Sequence, residues 1–278
     1  MILNNRVIYK DNAVLTDLTR NLSDAQGSGK SFSLVAAEDA IYVGSDFPFN
    51  HRFFMVSAAN TVDAVPAVKI WSGAAWEDAV DVLDFTGPAA KVFAQSGLIM
   101  FAPEKSKGWA RAVSTEQVTD LTSLKIYNCF WAKLTFSGAA VFTLKYVGHK
   151  FSQDSDFGIY YADLNRSSVR DAFFGTSTPT FDAVHVAAAE EIIRDLRARQ
   201  EIFSPNQILD PDQFRDAATH KAASIIYSSF GSGQEDRRDW AVKKYREAMN
   251  KLVFNVDKDG DGRLALEEKV GTSMAVRR

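Results

Sequence analysis

The first half of the chain is written in short apolar runs rich in β-branched and aromatic residues: AIYVG at 40–44, RFFMV at 52–56, VKIW at 68–71, LIMF at 98–101, CFWAKLT at 129–135 and VFTLKY at 141–146. Gly, Pro, Asn and Ser separate them, a spacing that predicts an antiparallel sandwich or barrel, with a β-sandwich as the choice made here. The alternation in 141–146 is imperfect, so the faces of that strand are not assigned.

The second half changes period. Thr180 is placed to cap a helix whose apolar stripe runs Phe181, Val184, Ala188, Ile192, Leu196 and then Ile202 or Phe203, with Glu190, Asp195 and Arg197 turned away. Asp210, Pro211 and Gln213 predict the next start, as N-cap, first helical residue and capping-box partner. Its core face is Phe214, Ala217, Ala218, Ala222, Ile225 and Ile226, and Gly231 and Gly233 stop it. A third helix from about Glu235 is expected to bury Trp240, Ala241, Tyr245, Ala248, Leu252 and Val253, with acid-before-base pairs Asp239 to Lys243 and Glu247 to Lys251. Similar lengths and short connections suggest an antiparallel helical bundle. Residues 167–174 read as a short helix and the polar 152–156 as a linker. The expected organisation is therefore α+β: an antiparallel β-sandwich domain over 1–152 and a helical domain over 153–278.

Charge supports the division. Residues 1–150 carry 14 basic and 14 acidic side chains and 151–278 carry 18 and 21, while Trp71, Trp76, Trp109 and Trp131 lie in the first half and only Trp240 in the second. Overall, 32 Lys+Arg against 35 Asp+Glu give a net charge of −3, with a mean hydropathy of −0.16. That balance argues against non-specific attraction to nucleic acid or anionic lipid. The single cysteine, Cys129, excludes an internal disulfide and any multi-cysteine metal site, and reads as a core residue. Neither a basic leader with an apolar core nor an apolar run of membrane-spanning length is visible, so synthesis in a cytosol and no membrane association are expected.

The sharpest motif is DKDGDGRLALEE at 257–268. Asp257, Asp259 and Asp261 occupy positions 1, 3 and 5 of an EF-hand calcium loop, Gly262 makes the turn at 6, the Arg263 carbonyl serves position 7, and Glu268 closes at 12. A hard divalent cation takes oxygen ligands, and clustered carboxylates repel one another until an ion neutralises them. The entering side is expected to be helical, with Val253 and Val256 on it. Lys269, Val270 and Gly271 leave only a stub of exit helix, and Ala265 at position 9 leaves that ligand to water. A structural Ca2+ staple is thus expected rather than a sensor, which needs an exit helix that swings. The alternative is an acidic, glycine-rich turn without metal.

Other motifs fail. GSGKS at 27–31 lacks the first glycine of a phosphate-binding loop, since Asp24 stands there, and runs into a strand. His51, His149, His185 and His220 show no metal-ligand spacing, and neither a nucleophile elbow nor a catalytic cysteine context occurs, so no catalytic residues are assigned. The tryptophans of the first half could form a sugar-stacking platform, but large aromatics more often fill a core.

Taken together, the segments SPNQILDPDQFRDAA at 204–218, IIYSSF at 225–230 and KYREAM at 244–249, running into the Asp-rich tail, resemble the head-to-tail connector (adaptor or neck) proteins of tailed bacteriophages. YVGSDFPFN at 42–50, WSGAAW at 71–76, and QSG at 95–97 followed by Phe101 look like β-domains of tailed-phage virion proteins. The resemblance implies a non-catalytic virion protein made in the host cytoplasm and packed in the neck as a homo-oligomeric, commonly dodecameric, ring. Its partners would be the portal protein and a tail or tail-terminator protein, with DNA passing through unread. Residues 181–256 would then carry the ring contacts, through helices that are Ala-rich at 187–189, 217–218 and 222–223. A carbohydrate-binding β-sandwich with a dockerin-like calcium tail is the second reading, weakened by the presence of one loop where dockerins have two.

Overall fold

In a computed structural model, described over residues 5–88, 90–102, 108–174, 180–231, 233–263 and 268–271, the chain is a mixed α+β protein with antiparallel sheets. It divides into two compact units. The first contains Met1–Gly148 together with Ser204–Leu209 and Asp257–Arg263. The second contains His149–Phe203, Asp210–Val256 and Leu264–Arg278. The units are therefore not the continuous stretches 1–152 and 153–278.

The strands of the first unit are β1 (Asn5–Asp11), β2 (Val14–Asp17), β3 (Lys30–Leu34), β4 (Ala40–Ser45), β5 (His51–Ala58) and β6 (Pro66–Trp71). They continue as β7 (Trp76–Asp78), β8 (Val80–Asp84), β9 (Gly97–Ala102), β10 (Arg111–Ser114), β11 (Tyr127–Phe136) and β12 (Ala140–Gly148). One sheet has the order β2-β1-β4-β11-β6-β7, with β10 also on β11; the other has the order β3-β12-β5-β9-β8.

Side-chain alternation explains why both sheets are needed. On β11, Ala132, Leu134 and Phe136 enter a core shared with Ile41 and Val43 of β4 and with Phe54, Ile99, Phe142 and Leu144 of the other sheet. Cys129 and Trp131 point the opposite way, into a second apolar layer with Ile8, Tyr42, Trp71, Val118 and Leu121. The first sheet is thus covered on both faces, and every residue of β4 is buried. Gly44 faces Trp131 in register, and a Cβ there would stand 2.7 Å from the indole. The first-half tryptophans are core or core-edge residues: Trp71 and Trp131 are buried, Trp109 packs on the inter-sheet core and Trp76 on the outer layer.

In the second unit lie α1 (Phe157–Tyr160), α2 (Ser167–Phe174), α3 (Asp182–Ala198), α4 (Arg215–Ser229) and α5 (Glu235–Lys251). Helix α4 packs against both α3 and α5 and is buried nearly all round, through Ala217, Ala218, His220, Ala222, Ala223, Ile226 and Tyr227. Ala188 and Ala189 of α3 are buried as well. These alanines let helices of one chain approach closely and do not form an open face for a neighbouring copy.

Several local expectations shift. Helix α3 takes Phe181 as N-cap, whose N–H is received by the Asp154 carboxylate, while Thr180 donates to Asp182 instead. Asp210 caps a 3-10 turn, Pro211–Phe214, and Gln213 Nε2 donates to the Asp210 carbonyl rather than closing a capping box. Of the alternatives at the end of α3, Ile202 is buried and Phe203 is 79% exposed. Helix α5 buries Ala241, Tyr245 and Met249, leaving Trp240 42% and Val253 55% exposed. Asp239 pairs with Arg238 and Glu247 with Lys244, rather than with the lysines four residues on. The 152–156 stretch is no solvated linker: Ser152 and Asp156 are buried. No helix among the described residues is long and apolar enough to cross a membrane.

Candidate functional site

The loop after Val256 owes its shape to its own aspartates and glycines. Asp257 accepts from the Gly260 N–H on Oδ1 at 2.6 Å and from the Gly262 N–H on Oδ2 at 2.9 Å. Asp259 Oδ1 receives the Asp261 N–H at 3.1 Å, and Asp261 Oδ1 the Arg263 N–H at 2.8 Å. Such bonds require tight turns, which Gly260 and Gly262 allow at φ +79° and +78°. The chain is thereby wound so that one carboxylate oxygen each of Asp257, Asp259 and Asp261 lies within 4.8 Å of the others.

This spacing matches a hard cation. Oxygen ligands at about 2.3–2.6 Å from Ca2+ can stand up to about 5 Å apart. Asp257 is fully buried and the other two are exposed, so the cluster opens to solvent on one side. Arg263 follows in the same unit, as the donor of a position-7 carbonyl should. Glu268 is buried, and its own carbonyl accepts from the Val256 N–H at 3.4 Å. Ala265, the expected water-mediated position, lies outside the described residues.

The expected entering helix is absent. Helix α5 ends at Lys251, Leu252 is extended, and Val253–Asn255 forms a strand, β13, paired antiparallel with β14 (Lys269–Gly271). The β-branched Val253 and aromatic Phe254 suit the pleat. Phe254 packs edge-on against Phe214 at 5.1 Å, and the Asn255 N–H donates to Gln213 Oε1 at 2.7 Å. The segment 257–268 therefore connects two strands of a ribbon rather than two helices.

Sequence reasoning missed what holds the loop. The Asp257 N–H donates to the Gln207 carbonyl at 2.9 Å, and Gln207 Nε2 donates to the Asp257 carbonyl at 2.8 Å. The segment bearing Gln207 is itself pinned to residues 46–50. Asp46 Oδ1 accepts from Ser204 Oγ at 2.6 Å and Asn206 Nδ2 at 2.7 Å, and Asn50 Nδ2 donates to the Leu209 carbonyl at 2.8 Å. Ser204-Pro-Asn-Gln forms a capping box that shapes this segment.

A second polar constellation lies in the other unit. His185 Nδ1 stands 2.7 Å from Ser152 Oγ and its Nε2 stands 3.1 Å from Asp154 Oδ1, with the ring stacked on Phe157 at 5.0 Å. The residue types are those of a nucleophilic triad, but Ser152 and His185 are both buried, which closes the hydroxyl to a substrate. Asp154 also accepts from the Phe181 N–H and pairs with Arg170, so the group caps α3 and ties down the chain before it. His220, held at Nδ1 by Tyr161 Oη at 2.8 Å, has its pKa lowered chiefly by burial. Burial likewise raises the Cys129 thiol to about 11, which keeps it protonated.

Compared with known proteins, the chain stands apart: no family profile matches it, and neither does any curated protein or any solved structure.

Proposed function

We propose that this chain is a non-catalytic structural protein of a tailed-phage virion, a neck component in which a β-sandwich unit and a helical unit pack into a ring between portal and tail. Asp257, Asp259, Asp261, the Arg263 carbonyl and Glu268 hold one Ca2+ that braces the end of the chain. The observation that carries the metal assignment is the convergence of the three aspartate carboxylates within 4.8 Å on a backbone wound by Gly260 and Gly262. An all-oxygen donor set of this charge suits Ca2+ over softer transition metals. The described residues on the exit side, Lys269–Gly271, form a strand rather than a helix that could swing, which favours a staple over a sensor. The sandwich reading is supported by the core that the two sheets share.

The neck assignment is supported by the sequence resemblance at 204–218, 225–230 and 244–249, running into the Asp-rich tail. Since the alanines of α3 and α4 pack within the chain, ring contacts in this reading fall on other surfaces. Calorimetry with Ca2+ is expected to show one site, and saturating Ca2+ to raise the melting temperature. An Asp257→Ala, Glu268→Ala double variant is expected to lose both effects, and a wild-type chain that melts alike in Ca2+ and EDTA overturns the staple. Copy number in assembled particles tests the neck: a portal-matched ring supports it, and absence from virions refutes it.

A further inference from the structure

We infer that occupancy of the calcium loop and the seating of Ser204–Leu209 on the β-unit form one coupled equilibrium, with Gln207 as the residue that couples them; this rests on the calcium reading above. Gln207 fixes the backbone of the first ligand: its main-chain carbonyl accepts the Asp257 N–H and its side-chain Nε2 donates to the Asp257 carbonyl. Its remaining amide oxygen accepts the Ser204 N–H at 3.0 Å, so the side chain that holds Asp257 also shapes the segment it comes from.

The same short loop of the β-unit supports both partners. Asp46 holds Ser204 and Asn206, Asn50 holds Leu209, and between them the Phe47 ring lies against the Gly260 position, 3.8 Å from where a Cβ would stand. Arg52, just beyond, donates through Nη2 to Asn206 Oδ1 at 2.7 Å. Lifting Ser204–Leu209 off this platform strips Asp257 of both backbone partners and frees the position of its carboxylate. Conversely, an ion that fixes Asp257 fixes Gln207 and the segment with it. Linkage makes the effect equal in the two directions: whatever seating adds to calcium affinity, calcium adds to seating. In paired EF-hands a second loop braces the first; here the platform at 46–50 and Gln207 do so.

The test uses the full chain. Calcium titration calorimetry is run on the wild type, Gln207→Ala and Asn206→Ala, and hydrogen exchange of a peptide covering 204–209 is followed in wild type with Ca2+ and with EDTA. Coupling predicts that both variants, neither altering a ligand, bind Ca2+ about tenfold more weakly, and that Ca2+ slows exchange across 204–209 in the wild type. If the wild type binds Ca2+ yet exchange at 204–209 is the same in EDTA, the coupling is overturned while the metal site stands; the exchange arm needs no variant to fold. If the wild type binds no Ca2+, the calcium reading fails and the coupling with it.

Discussion

Arg52 and Asn206, separated by 154 positions, meet through a 2.7 Å hydrogen bond between Nη2 and Oδ1 inside the β-unit. The guanidinium is buried at 2% exposure, donates also to the His51 carbonyl at 2.7 Å and to Asn5 Oδ1 at 3.3 Å, and lies 3.6 Å over the Phe49 ring. Burial pulls its pKa down to about 9, against the opposing pull of Asp46, so it remains charged at neutral pH. Removing the guanidinium takes a donor from Asn206 Oδ1, Asn5 Oδ1 and the His51 carbonyl. Arg52→Met is expected to cost about 3 kcal/mol, read as a lower urea midpoint at unchanged slope. A loss below about 0.5 kcal/mol, the size of a surface change, would mean that the network is dispensable.

A second clasp lies on the outer layer of the first sheet. Asp120 receives Lys133 Nζ at 2.6 Å and Tyr42 Oη at 3.1 Å on Oδ2, and Lys10 Nζ at 3.3 Å on Oδ1. Burial works to raise its pKa, but Lys133 and Lys10 outweigh it and hold the carboxyl below the usual range. Asp120 stands at φ +76°, a conformation that Asn tolerates and Ala resists. Asp120→Asn is therefore expected to cost about 1 kcal/mol by loss of charge alone. Asp120→Ala should cost about 1 kcal/mol more through the backbone. Equal midpoints for the two variants would remove the backbone part of the argument.

The parts of the fold legible in the sequence are those fixed by local pattern. Strands β4, β5, β6, β9, β11 and β12 overlap the runs rich in β-branched and aromatic residues, and α2 spans the expected 167–174. Strands β1, β7, β8 and β10 escaped because they are short or carry charged residues, as in NRVIYKD and VDVLD, and owe their state to their neighbours. The face of α5 was misjudged because Trp240 and Met249 are both apolar, and only the packed partners decide between them. Within the candidate site, the aspartate spacing was legible, whereas the ribbon pairing and the Gln207 brace arise from contacts tens of residues apart. For the same reason no pattern placed Ser204–Leu209 with the β-unit, and a fragment cut at residue 152 would leave Arg52 without Asn206.

Acid sensitivity follows from His51. It is fully buried with Nδ1 2.8 Å from Asn50 Oδ1, and burial, with Arg52 adding to it, lowers its pKa from 6.5 to about 3. Between those two values the unfolded chain holds a proton that the folded chain refuses. Stability is therefore full above about pH 6.5 and declines as pH falls toward 3, by at most about 1.4 kcal/mol per pH unit. His220, also lowered, adds in the same direction. Urea midpoints from pH 7 to 4 are expected to fall more steeply for wild type than for His51→Asn. Parallel lines would show that His51 protonates freely in the folded state.

The loop glycines offer a way to separate backbone strain from metal binding. Gly262, at φ +78°, places its N–H on Asp257 Oδ2, while Gly231, at φ +72° after α4, has nothing within 4 Å of where a Cβ would stand. Alanine at either position forces an L-residue into left-handed backbone, which costs about 1 kcal/mol. At Gly231 that is the whole effect, because the added methyl meets open space. At Gly262 the backbone must rotate to relieve the strain, which moves the N–H off the carboxylate that shapes the loop and that is the first ligand in the proposed calcium site. Gly231→Ala is therefore expected to lower stability by about 1 kcal/mol with Ca2+ affinity unchanged. Gly262→Ala should lose a similar amount in EDTA and bind Ca2+ at least tenfold more weakly by calorimetry. If the two variants bind Ca2+ equally well, the turn at Gly262 does not organise the ligands, and the carboxylates converge for another reason.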